Sequence, residues 1–218
     1  MRGPEGRPLW IAAGFLIVLV ASSGSATASN EGFSLSKRTY PLGGRPKGWN
    51  LVALPARNPY QGPRGLAVLC HDLNLDAQGQ IIQIDGQGMV NTHVCGGGPQ
   101  QWNLIPGIGV IVQDPQLRDG RIVGTDDPAK SVAIVNMGPL PKGTNVFPVD
   151  YNTIDVTPED LCHDCGLSDT ATISRFDAST GMVFTHQCGQ APAWELVKGE
   201  AVLIVESQGT RFCRPTIL

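Results

Sequence analysis

The chain repeats itself. Residues 46–55 read Pro-Lys-Gly-Trp-Asn-Leu-Val-Ala-Leu-Pro, and residues 141–145 open again with Pro-Lys-Gly-Thr-Asn. Leu69-Cys70-His71-Asp72 returns as Leu161-Cys162-His163-Asp164, and Thr92-His93-Val94-Cys95-Gly96 as Thr185-His186-Gln187-Cys188-Gly189. Trp102-Asn103-Leu104 returns as Trp194-Glu195-Leu196. The offset is 95 at the first motif and 92 or 93 at the others. Self-similarity at so steady a spacing marks a duplicated folding unit, and it restricts the fold to two copies of one architecture.

Ahead of the first copy, Met1–Ala28 reads as a secretory leader. Arg2 and Arg7 give a positive start, Leu9–Ala21 is an apolar run of 13 residues, and Ala26-Thr27-Ala28 supplies the small residues of a cleavage site. The run is shorter than the ~20 residues needed to cross a bilayer. The expectation is therefore cleavage before Ser29, no stable membrane span, and a secreted, periplasmic or cell-surface location. The mature chain would hold 190 residues with 14 basic and 18 acidic side chains, a net charge of −4. A basic stripe for neutralising phosphates is absent, which argues against nucleic acid as a partner.

All six cysteines lie beyond the leader. In an oxidising compartment an even count reads first as disulfides. Six cysteines allow fifteen pairings, and the repeat narrows them. Cys70 and Cys95 correspond to Cys162 and Cys188, so one bridge inside each copy is expected: Cys70–Cys95 and Cys162–Cys188. Cys165 and Cys213 have no counterparts in the first copy and most simply pair with each other.

With 27 glycines, 17 prolines and 16% charged residues, the composition suits short strands and turns. Leu51–Leu54, Val110–Val112 and Val202–Val205 read as buried strands. Ile81–Ile84 with Met89–Val94, and Thr172–Phe176 with Met182–His186, read as hairpins around Asp85-Gly86-Gln87-Gly88 and Asp177–Gly181. Phe33–Tyr40 is a strand candidate, and Arg121–Val123 and Val132–Val135 are expected to be strands joining the two copies. One short helix per copy is expected. Thr157 caps the second, with Pro158, Glu159 and Asp160 in its first turn and Gly166 at its end; the first, near Gly65–Leu73, has weaker start signals. The fold expected is all-β with one short helix per repeat, as two tandem disulfide-stapled repeats in one compact body. The divisions are 1–28 for the leader, 29–45 for an N-terminal strand segment, 46–118 for the first repeat and 119–218 for the second.

The run Gly-Trp-Asn-Leu-Val-x-Leu-Pro, followed by Leu-Cys, His-x-Cys-Gly and Leu-x-Pro-Gly-x-Gly-x-x-Val, resembles short β modules repeated in secreted and cell-surface proteins of bacteria. The resemblance spans nearly all of residues 46–206 and carries no catalytic residues with it. The second copy departs from the pattern at Thr144 in place of Trp49 and at Lys198 in place of Pro106.

The residue types with chemical potential are Cys, His and Asp, present twice. Cys70, His71, His93 and Cys95, like Cys162, His163, His186 and Cys188, match a zinc or copper donor set, but a disulfide sulfur cannot act as a thiolate ligand. A His-based metal site using His71, Asp72, His93, His163, Asp164 and His186 remains as the alternative, with zinc or copper as cofactor. Cys162-His163-Asp164-Cys165 is formally a Cys-x-x-Cys, the motif of thiol–disulfide oxidoreductases, without the βαβ setting that accompanies it. There is no Gly-x-Ser-x-Gly elbow, no His-Glu-x-x-His and no phosphate-cradling glycine loop. Trp102 and Trp194 read as core, while Trp49, matched by a polar residue, is the candidate for a ligand surface. The reading is an exported, non-catalytic binding or structural module, without cofactor, that meets a protein or glycan at the cell surface. A secreted metal-binding protein is the second reading and a thiol oxidoreductase the third.

Overall fold

Alternation and turn chemistry place most of the strands. The computed structural model describes residues 33–43, 47–55, 57–84, 88–98, 102–104, 109–125, 132–134, 144–149, 157–192, 194–208 and 211–213. Residues 1–28, where a leader is expected, lie outside them. The first half runs β1 (Phe33–Thr39), β2 (Asn50–Ala53), α1 (Gly65–Asp72), β3 (Gln80–Ile84), β4 (Val90–Val94), β5 (Gly109–Gln113) and β6 (Arg118–Gly124). The second runs β7 (Val132–Ile134), β8 (Thr144–Pro148), α2 (Pro158–Asp164), β9 (Thr172–Asp177), β10 (Met182–Gln187), β11 (Ala201–Val205) and β12 (Arg211–Cys213). The described chain is thus mostly strand, with two short helices.

Every described strand pair is antiparallel. One four-stranded sheet has the order β2-β5-β3-β4 and the other β8-β11-β9-β10, the same order on the corresponding strands. Two further ribbons, β1-β6 and β7-β12, complete the set. Here the structure differs from the sequence expectation. Arg121–Val123 and Val132–Ile134 do not join the halves; Val135 lies outside the described residues. β6 pairs back onto β1 from Phe33↔Gly124 to Thr39↔Arg118, and β7 pairs with β12. The ladder partners of each strand lie in its own half, while the isolated bridge Val52↔Glu200, with Ala53 N donating to Gly199 O at 3.3 Å, ties β2 to the other half. The segment containing β1 is therefore tied to residues 118–124, and the expected boundary at 118/119 falls on the first residues of β6.

The helix signals act as their chemistry requires. The Thr157 hydroxyl accepts from Asp160 N at 3.2 Å, and Asp160 Oδ2 accepts from Thr157 N at 3.0 Å, a capping box with Pro158 in the first turn. Such a cap stabilises by about 1 kcal/mol. α1 starts after Arg64 without a side-chain cap. Both helices end in one left-handed residue, Asn74 at φ 54° and Gly166 at φ 57°. Leu75 N and Leu167 N then bond back to Cys70 O and Cys162 O, each at 2.9 Å. Asn tolerates this region better than other non-glycine residues because its short polar side chain bonds locally.

Three apolar clusters organise the molecule. Leu54, Leu66, Leu69, Leu73, Ile81, Val110 and Ile122 pack between α1 and its sheet. Phe147, Leu161, Ile173, Val202 and Ile204 pack between α2 and the other sheet. Leu51, Ile111, Val146 and Ala201 form the third cluster, the seam where the sheets meet. The seam is tight at Gly109: a Cβ there would lie 2.5 Å from Ala201 Cβ and 2.6 Å from Val146 Cγ1, so only glycine fits. Full burial of a Leu or Ile side chain contributes roughly 1.5–3 kcal/mol, so each cluster matters to a marginally stable chain.

Candidate functional site

Each helix is fastened to the end of a hairpin. Cys70 on α1 is bonded to Cys95 just after β4, and Cys162 on α2 to Cys188 just after β10, both with Cα atoms 5.7 Å apart. Cys165 is bonded to Cys213 on β12. The two cysteines of Cys162-x-x-Cys165 therefore bond to distant partners and not to each other. Among the described residues no cysteine is free.

The Cys-His-Asp runs place their histidines outward. His71 and His163 are 84% and 90% exposed, each with Nδ1 beside the next aspartate, at 3.2 Å from Asp72 and 3.5 Å from Asp164. Asp72 serves the packing of the fold. The Tyr60 hydroxyl donates to its Oδ2 at 3.2 Å and accepts from Val123 N at 2.8 Å, linking α1 to β6. Burial and the neighbouring carboxylate push the Tyr60 hydroxyl's pKa upward. His93 is half-buried on β4, and loss of solvent lowers its pKa. His186, its counterpart on β10, is buried with Nε2 2.8 Å from Glu159 Oε2. Glu159 also accepts from Gly189 N at 3.0 Å, so it joins α2 to the far end of the hairpin. Among the described residues, the one group of three possible metal donors within 4.8 Å of one another is Glu159, Cys162 and His186. His71, Asp72, His93, His163 and Asp164 are not part of it.

Trp49 is half-buried at the seam, its ring 5.7 Å from that of Phe176. The turn after β9 sits on this strand: Gly48 N donates to Ala178 O at 3.0 Å. Beside it lies a pocket of about 180 Å³ lined by Lys37, Tyr40, Asn50, Arg175, Phe176 and Glu200, among others. Glu200 stands between two cations, 3.5 Å from Lys37 Nζ and 3.1 Å from Arg175 Nε. Burial lowers the Lys37 pKa, Glu200 opposes this, and Arg175 adds to the lowering. Trp102 and Trp194 pack against the two helix-side cores.

Two buried acids in matching places escape the motif comparison. Asp114 accepts from Asp76 N at 2.6 Å and Gln116 N at 2.7 Å. Glu206 accepts from Ser168 N at 3.0 Å and Gln208 N at 2.6 Å. All three positions differ by 92, and Val112-Gln113-Asp114-x-Gln116 against Ile204-Val205-Glu206-x-Gln208 is the signal that could have found them. Glu159 escapes because its first-half counterpart is Ala67, so the repeat does not display it. The Lys37–Glu200–Arg175 group belongs to no shared motif, and nothing in the sequence brings its members together.

The exposed apolar residues have a pattern too. β4 and β10 end their sheets, and among the described residues each is paired on one side only. Val90, Val94, Met182 and Val183 are 40–54% exposed on these two strands. Val90 and Val183 occupy matching positions, as do the exposed Thr92 and Thr185. No protein-family model matches this chain, and no curated protein or solved structure matches it.

Proposed function

We propose that this chain is an exported, non-catalytic binding module: two tandem copies of one disulfide-stapled β unit that accept a partner's strand along β4 and β10. The duplicated unit is strand, strand, helix, hairpin, strand, strand, so β1 and β6 belong to the first copy and β7 and β12 to the second. Three things support the duplication. The strand order is the same in both sheets, and the helix–hairpin disulfides match. Asn50 and Asn145 also donate to the matching carbonyls Val112 O and Ile204 O, at 3.0 and 3.2 Å.

The observation that carries the binding reading is the exposed β-branched row on two terminal strands. An edge strand offers backbone donors and acceptors to an incoming extended peptide, while alternate side chains supply selectivity. Val90, Thr92 and Val94 form one such row and Val183 and Thr185 the other. The partner class is an extended polypeptide with apolar residues at alternate positions, met at the cell surface. The test selects peptides on the immobilised, oxidised protein and then measures each binder with Val90→Lys/Val94→Lys and Met182→Lys/Val183→Lys. Binding should fall with one of the pairs, and also when alternate peptide nitrogens of the binder are methylated. Binders indifferent to both changes would remove the proposal.

A further inference from the structure

We propose that reduction of the Cys162–Cys188 disulfide turns Glu159, Cys162, His186 and Cys188 into a four-ligand zinc site. Three of the four donors are already gathered, and the fourth is held beside them by its bond to Cys162. Glu159, Cys162 and His186 offer ligand atoms within 4.8 Å of one another, and Cys188 is bonded to Cys162. His186, Cys162 and Cys188 are buried, so the surroundings favour a charge-neutralising ligand set over free thiolates. Glu159 is 37% exposed and gives the site its opening to solvent. Two thiolates, one imidazole and one carboxylate are zinc donors, and four of them complete a tetrahedral shell.

The first half is a built-in control. Cys70, Cys95 and His93 occupy the matching positions, but Ala67 stands where Glu159 does. That half offers three donors and the second half four.

The chemistry balances with a dithiol as reductant. The dithiol gives two electrons and two protons to the Cys162–Cys188 bond and closes to a cyclic disulfide, leaving two thiols. Zinc then displaces one proton from each thiol as the two zinc–sulfur bonds form, and His186 and Glu159 supply the other two ligands. The disulfide and the zinc-bound form exclude each other, so the compartment's redox state selects between them.

The experiment reduces the whole protein with a phosphine, titrates it with zinc ion alone against a chromophoric chelator, and maps alkylation of each cysteine by mass spectrometry. One zinc per chain is expected, with Cys162 and Cys188 alkylated at least about tenfold more slowly than the other four cysteines. Glu159→Ala should weaken zinc binding on the order of tenfold or more, since coordination-shell changes act on this scale. Absence of zinc uptake would overturn the proposal. So would equal protection of all six cysteines, or equally tight uptake by the chain unfolded in guanidinium. The protection map on the unsubstituted protein decides the matter even if Glu159→Ala does not fold.

Discussion

Asp114 offers the sharpest test of how the turns after the helices are held. It is fully buried, and its two oxygens take the backbone N–H groups of Asp76 and Gln116 at 2.6 and 2.7 Å, with Arg118 Nε at 3.4 Å. A hydrogen bond to a charged group contributes about 1.5–3 kcal/mol, and a donor left buried and unpaired costs a similar amount. Gln116 is exposed and its N–H can turn to water, whereas Asp76 lies in a half-buried turn. Asp114→Ala should therefore cost about 3 kcal/mol. Asp114→Asn keeps one acceptor oxygen but points an amide N–H₂ at the other donor, and should cost about 2 kcal/mol. Glu206→Gln, altering the matching bonds to Ser168 and Gln208, should cost a similar amount. Urea unfolding of the oxidised protein, followed by circular dichroism and extrapolated to water, measures all three. A loss below about 1 kcal/mol for Asp114→Ala would refute the account of these acids as turn anchors.

Other outcomes follow from the same structure. Replacing Cys70 and Cys95 with Ala should cost roughly 3 kcal/mol, because their 25-residue separation sets the loop the disulfide closes; chemical denaturation reads this directly. His93 has a folded pKa below its ordinary 6.5, so the unfolded chain binds the proton more tightly. Its contribution to stability is complete above pH 6.5 and is lost as pH falls through the lowered folded value, and His93→Gln should flatten that part of a denaturation-midpoint profile against pH. Glu200→Ala should cost about 3 kcal/mol, since it leaves Lys37 and Arg175 together at the seam without their counter-charge; a matching loss in Lys37→Met/Arg175→Met/Glu200→Ala would show that the stranded cations are not the cause. Trp49→Ala should cost about 2 kcal/mol through lost packing on Phe176, seen as a lower melting temperature.

The elements that match between the halves are readable in the sequence because the same residues recur there at a nearly constant offset. The hairpins, both helices and the Thr157 cap follow from local chemistry: β-branched alternation, turn residues and an Ncap hydroxyl. The β1-β6 and β7-β12 ribbons are harder, since pairing between strands about 80 residues apart leaves no local trace. The site follows the same division. Cys, His and Asp are visible as repeated letters, but where they point is not: His71 and His163 face solvent while His186 is enclosed. Glu159 is legible only as a difference between copies. Trp49 reads as a ligand platform when its counterpart is polar, yet tertiary packing brings Phe176 from the other half against it.

Each half latches its outer ribbon to its helix by a different means. In the first, Tyr60 bridges Asp72 of α1 and Val123 of β6 by hydrogen bonds alone. In the second, Cys165 at the end of α2 is bonded to Cys213 of β12. The molecule is accordingly lopsided in its vulnerabilities: a reducing milieu loosens the C-terminal flap while leaving its N-terminal sibling shut. Protease digestion along a thiol gradient would record that order, with cuts near residue 213 preceding any near residue 33.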